Sequence, residues 1–152
     1  GHFTTFSKLY DGVHTVLSTL RKKYKLALVS NCPVGLREVV EALQLDRFFD
    51  AVVLSYEARA RKPDRRMYLE ALQALKLKPE ECVFVADEIT DLEGAHELGL
   101  KTILVRQGER TPRASKDPNF KPNYECVRIS ETLRFLQMLL RNVVSQARLF
   151  CT

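Results

Sequence analysis

The 152-residue chain lacks most of the short signatures that tie a sequence to one chemistry. Neither GxGxxG nor GxxxxGK[ST] occurs, so no glycine-rich loop offers a cradle for a dinucleotide or a nucleoside triphosphate. GxSxG is absent too, which disfavours the serine elbow of an α/β-hydrolase. The four cysteines, at 32, 82, 126 and 151, include no CxxC pair, and the three histidines, at 2, 14 and 96, show no ligand spacing with them. A zinc site is therefore disfavoured. Cys82 and Cys126 lie in or beside apolar strands, as core thiols do, and the pattern suits a reducing compartment. The first ten residues contain no apolar run of the kind a signal peptide needs. The longest apolar stretch, 135–150, is broken by Arg141, Asn142, Gln146 and Arg148 and should not span a bilayer. The expectations are a cytoplasmic location and no membrane partner. There is no internal repeat and no low-complexity segment.

What is present is the composition of an ordinary globular protein: 45% hydrophobic residues, 28% charged, and a formal net charge of +5. The length suits one domain over residues 1–152 with a real core. Arg21-Lys22-Lys23 lies at a helix end, where cations suit the dipole; apart from that run, Arg59, Arg61, Lys62, Arg65 and Arg66 form the dense basic cluster. It suits a phosphate-bearing ligand. No interleaved aromatics or recognised motif turn it into a specific nucleic-acid surface.

Helix and strand signals alternate. Asp11 can cap a helix carrying Val13, Val16, Leu17 and Leu20 at helical spacing. Lys25–Ser30 reads as a strand. Pro33 suits the first turn of a helix with Leu36, Val39, Val40 and Leu43 on one face. Phe49–Leu54 reads as a second strand, and Asp64 can cap a helix bearing Met67, Leu69, Leu72 and Leu75. A strand over Cys82–Ala86 leads into a helix to about Leu98, with Gly99 as its stop. Lys101–Val105 is another strand, 107–123 a loop, Glu125–Ile129 a short strand, and 130–150 a final helix. Strands alternating with helices predict an α/β protein of three layers, α/β/α, built on a mostly parallel, Rossmann-like sheet. Ligands in such folds bind at the carboxyl ends of the strands.

Three features converge on that edge. Asp87 follows an apolar strand and Asp91 stands four residues on, where two carboxylates can hold a hard cation such as Mg²⁺. The alternative is capping by Asp87, with Asp91 and Glu93 complementing the helix dipole. Ser30 ends another strand, and its hydroxyl with the Asn31 backbone N–H can hold a phosphoryl oxygen; alone it would read as a cap. Lys62 precedes Pro63, which restricts it to an extended conformation and aims its ammonium. A solvated surface lysine is the plainer alternative.

In this order the segments resemble the core domain of the haloacid dehalogenase superfamily of hydrolases. Leu28-Val29-Ser30-Asn31 is similar to the family's second motif and Lys62-Pro63-Asp64 to its third. Val85-Ala86-Asp87-Glu88-Ile89-Thr90-Asp91, followed by Gly94-Ala95 and Leu98-Gly99, is similar to the fourth. Ala86 stands where the family usually has Gly. Leu9–Val13 resembles the segment leading back into the core after the family's cap domain. The resemblance implies phosphoryl transfer with Mg²⁺, held by Asp87 and Asp91. Ser30 and Lys62 would be the catalytic groups, and Ser30, Asn31 and Lys62 would bind a phosphorylated small molecule. The acid pair favours phosphoryl transfer over dehalogenation.

Nothing in the chain is similar to the first motif, Asp-x-Asp-x-Thr, which carries the family's nucleophile. Leu9 stands where that Asp would be, and Phe3–Lys8 does not read as a buried strand. The core is therefore expected to be incomplete at its N-terminus, to start after the point where nucleophile strand and cap would have ended, and to be inactive alone. The resemblance puts the missing strand between those ending at Ser30 and Ala86. Either these two close up, or the slot is filled by another chain or a fragment bearing the nucleophile. A homodimer or such an association is expected, and the apolar residues of the final helix, from Leu133 to Val144, point the same way. A non-catalytic binding or scaffold protein on the same fold is the alternative. A receiver-like signalling domain fails on order, since its acids precede the Ser/Thr and Lys.

Overall fold

Apolar strands and amphipathic helices alternate to build one six-stranded sheet in the computed structural model, which describes residues 15, 17–106 and 114–127, and the backbone of 148–151. The helices are α1 (residues 17–21), α2 (Leu36–Ala42), α3 (Ser55–Ala58), α4 (Arg65–Leu75) and α5 (Ile89–Glu97). The strands are β1 (Leu26–Ser30), β2 (Ala51–Leu54), β3 (Cys82–Ala86), β4 (Lys101–Val105), β5 (Tyr124–Cys126) and β6 (Arg148–Cys151). The sheet order is β2-β1-β6-β3-β4-β5, and every neighbouring pair is parallel.

Side-chain alternation along each strand divides the core in two. Ala27, Val29, Phe84, Ala86 and Leu104 point to one face, covered by Met67, Tyr68, Ala71, Leu72 and Leu75 of α4 and by Leu92 and Ala95 of α5. Leu26, Val83, Val85 and Ile103 point to the other, where Leu17 and Leu20 of α1, Val40 of α2 and Phe48 pack. Each fully buried Leu, Ile, Val, Phe or Met among them contributes roughly 1.5–3 kcal/mol. This is the three-layer α/β/α arrangement expected from the alternation.

Local signals place most of the boundaries. The Asp64 carboxylate caps α4 by accepting the Arg66 N–H at 2.9 Å. Gly99 ends α5 at φ +99°, with its N–H on the His96 carbonyl. The start of α2 differs from expectation. It begins at Leu36 after Gly35, whose φ of +102° suits a residue without Cβ, so Pro33 lies in the preceding loop rather than in a first helical turn.

The expected final helix over 130–150 needs correction at its end, because Arg148–Phe150 are strand. The sheet decides this. Between β1 and β3 both neighbours present backbone groups that must be paired, and that requirement overrides helical periodicity. Leu149 registers with Leu26 and Val83, Phe150 with Ala27 and Phe84, and Cys151 with Leu28 and Val85. The slot is thus filled from within the chain, neither closed by direct pairing of β1 with β3 nor left to another molecule. Residues 130–147, Asp11, Phe3–Lys8 and 107–113 lie outside the described residues; 114–123 contain no helix or strand. Among the described residues, no helix is long and apolar enough to cross a membrane.

Candidate active site

The carboxyl edge of β1 and β3, which flank β6, gathers the polar residues singled out above. Ser30 is the last residue of β1 and is half-buried. Asn31 follows it and turns its side chain to the Lys62 backbone. Its Nδ2 donates to the Lys62 carbonyl at 3.1 Å, and the Lys62 N–H donates to its Oδ1 at 2.8 Å. This two-way amide bridge ties the loop after β1 to the loop before α4. The Asn31 side chain is therefore a positioning group, and this bridge leaves its backbone N–H, the ligand contact expected of it, unengaged. Ser55 makes a second tie, accepting the Cys32 N–H at 2.9 Å and donating to the Cys32 carbonyl at 3.1 Å.

Lys62 is no surface lysine. Its side chain is 2% exposed, with Nζ 3.2 Å from Asp91 Oδ2, and the Asp91 side chain is 11% exposed. Nζ also lies 5.7 Å from the centroid of the Phe84 ring. The Lys62–Pro63 peptide is cis. Burial pushes the Lys62 ammonium below its ordinary value, and the Asp91 and Asp87 carboxylates offset this in part. Burial likewise pushes the Asp91 carboxyl up, with Lys62 opposing and Glu88 and Asp87 adding to the rise.

The capping role does not fall to Asp87. The cap position of α5 is Glu88, without a side-chain cap bond. Asp87 lies exposed between β3 and that cap, and Asp91 is buried in the first turn of the helix. Tyr68 donates its hydroxyl to the Asp91 carbonyl at 2.7 Å, which ties α4 to α5. Gly94 permits the approach: a Cβ there would stand 2.9 Å from both Pro63 Cβ and Tyr68 Oη. Glu93, one turn into α5, accepts from Ser115 Oγ and from the N–H groups of Lys116 and Asp117 at 2.8–2.9 Å. It fastens the 114–120 segment beside the site.

Lys62, Asp91 and Asn31 are thus joined directly, and Asp87 stands near enough to act on the ion pair electrostatically. Ser30 shares the edge but makes no side-chain hydrogen bond to them. Among the described residues no three His, Cys, Asp or Glu side chains cluster as a closed metal cage. Exposed Asp87 and buried Asp91 are two carboxylates at one strand edge, a donor set that fits a hard cation keeping several waters, as Mg²⁺ does. Ser55 and the support from Glu93 were not legible in the sequence, because their partners lie more than 20 residues away. Gly94 was visible only as part of a motif.

The family model described as haloacid dehalogenase-like hydrolase matches residues 2–105. The chain belongs to that family. Glyceraldehyde 3-phosphate phosphatase of Methanopyrus kandleri is 32% identical, over 93% of this chain and 63% of that protein. Human N-acylneuraminate-9-phosphatase is 31% identical, over 86% of this chain and 53% of that protein. The chain therefore spans less than two thirds of the length of these relatives. Among solved structures, a HAD-hydrolase of Bacillus subtilis, YfnB, bound to magnesium, superposes with a TM-score of 0.72. It is 22% identical, over 83% of this chain and 55% of the other. A HAD phosphatase of Thermococcus onnurineus superposes at 0.69, with 24% identity, over 86% and 56%. At these identities the structural likeness shows the fold. The segments that resemble the family's second, third and fourth motifs lie at the end of β1, in the loop before α4, and in the turn from β3 into α5.

Proposed function

We propose that this chain supplies the phosphate- and Mg²⁺-binding part of a phosphomonoester hydrolase and does not turn over substrate alone. The carrying observation is Lys62, a buried ammonium fastened by backbone to Asn31 and by side chain to Asp91. A lysine held in that way is a fixed positive charge at a strand edge, suited to a phosphoryl oxygen. The Ser30 hydroxyl is the second phosphoryl contact, and Asn31 holds Lys62 in place. Asp87 and Asp91 would hold Mg²⁺, which when bound supplies charge stabilisation to phosphoryl oxygens. No residue of this sequence resembles the family's nucleophile, so the reading places that carboxylate on another segment, one that reaches the carboxyl edge from outside the slot that β6 fills.

The test is calorimetry with methyl phosphate in the presence and absence of Mg²⁺, beside an assay for phosphate release. Expected are Mg²⁺-dependent binding, its loss in Lys62→Met and Asp87→Asn, and no release. Release by the native chain that survives Asp11→Asn would overturn the inactivity. A second reading, a non-catalytic scaffold, draws on β6: Arg148–Cys151 carry no carboxylate in the central slot. Absence of both phosphate and Mg²⁺ binding would favour that scaffold.

A further inference from the structure

Among the described residues the arginines fall into two groups. Arg21, Arg37, Arg66 and Arg106 each meet a carboxylate, and Arg47 lies over the Phe48 ring. Arg59, Arg61 and Arg65 have neither a carboxylate nor a ring beside them, and all three are exposed. The unpartnered group is confined to one loop, from the end of α3 to the start of α4. That loop contains Lys62–Pro63, so the three arginines flank the buried lysine in the chain, and the Lys62 backbone is tied to Asn31 just past the end of β1.

Their excess charge is not needed for a phosphate group. Lys62 is matched by Asp91 inside the site, and Arg66, the fourth arginine of the cluster, is matched by Asp64. Three like charges within seven residues repel one another and raise the local positive potential. Each guanidinium presents a planar fork of donors that fits a carboxylate or phosphate in bidentate fashion. We infer that Arg59, Arg61 and Arg65 form a subsite for a second anionic group, so that the ligand is a phosphate monoester that also carries a carboxylate or another phosphate. This rests on the phosphate-site reading above and adds the ligand class to it.

Four probes test it by calorimetry with Mg²⁺: methyl phosphate, phosphoglycolate, propane-1,3-diol bisphosphate and a ten-nucleotide single-stranded RNA. The native chain is expected to bind phosphoglycolate or the bisphosphate more tightly than methyl phosphate, by up to about fivefold per arginine engaged. The one preferred identifies the second group. The triple variant Arg59→Gln, Arg61→Gln, Arg65→Gln should lose this preference and keep its affinity for methyl phosphate. Arg47→Gln, a charge removed elsewhere, should change neither. Raising the salt concentration should shrink the preference, since exposed charges are screened. Equal affinity of the native chain for all three small probes overturns this inference and leaves the phosphate site standing. Failure to bind any of the three overturns both. RNA binding tighter than every small probe, and lost in the triple variant, overturns the inference by making the arginines a nucleic-acid surface.

Discussion

At the scale of single residues, the buried charges among the described residues are Lys62, Asp91 and Glu93, close together in the fold. Removing Lys62 and Asp91 from water is unfavourable for each, and their pairing offsets that only because the geometry is held by neighbours. Asn31 fixes the lysine backbone and Tyr68 fixes the aspartate backbone, so neither side chain is left to find its partner unaided. Glu93 works differently. Burial alone would raise its carboxyl, but the Ser115 hydroxyl and the Lys116 and Asp117 N–H groups outweigh this and hold it below the usual glutamate value. The folded state then binds its proton more weakly than the unfolded chain. Its contribution is complete above the ordinary glutamate pKa and is lost as pH falls through the lowered one. Protection of the Lys116 and Asp117 amides, normalised to intrinsic exchange, should therefore fall on acidification before that of β3. In Glu93→Gln it should be low at every pH. Protection that stays constant in the native chain through the acid range would show that the carboxylate does not hold the segment.

At the scale of elements, the site depends on how closely α5 lies against the loop before α4. Gly94 sets that separation, since a methyl group would meet Pro63 and the Tyr68 hydroxyl at 2.9 Å. Gly94→Ala should destabilise the fold by about 1–3 kcal/mol through overpacking. It should also move Pro63 and with it the Lys62 ammonium. Urea unfolding measures the first effect. A nitrogen chemical shift of Lys62 Nζ unchanged from the native protein would refute the second. The sequence carried the elements themselves well: α4 is legible from Asp64 and its apolar stripe, β3 from five apolar residues, and the end of α5 from Gly99. It did not carry the close approach, because Gly94 differs from any other helical glycine only in what stands opposite it.

At the scale of the whole molecule, the sheet has two halves. β2 and β1 carry Ser30, and β3, β4 and β5 lead to Asp87 and Asp91; within the sheet they are joined through β6. Lys62 is a polar link across the same seam, with its backbone on Asn31 and its side chain on Asp91. A proline in β6 removes a donor from a central strand, whereas one in β5 sits at the sheet's edge. Leu149→Pro should therefore destabilise the fold by about 3 kcal/mol, and Glu125→Pro by clearly less. Equal losses in denaturant unfolding would show that β6 does not join the halves.

The sequence by itself determined the parallel α/β architecture, the edge where Ser30, Lys62, Asp87 and Asp91 gather, and the family that this order of motifs resembles. Those follow from local periodicity and short spacing, which one stretch of chain carries alone. Only the tertiary structure decided that Lys62 is buried against Asp91, that the Asn31 side chain serves the Lys62 backbone, and that Arg148–Cys151 form a strand. Each of these is a matter of what a residue meets across the fold. The last shows the physics most plainly: Arg148–Cys151, of which 148–150 were expected as the end of a helix, are extended where a parallel sheet would otherwise leave backbone hydrogen bonds unmade in its interior.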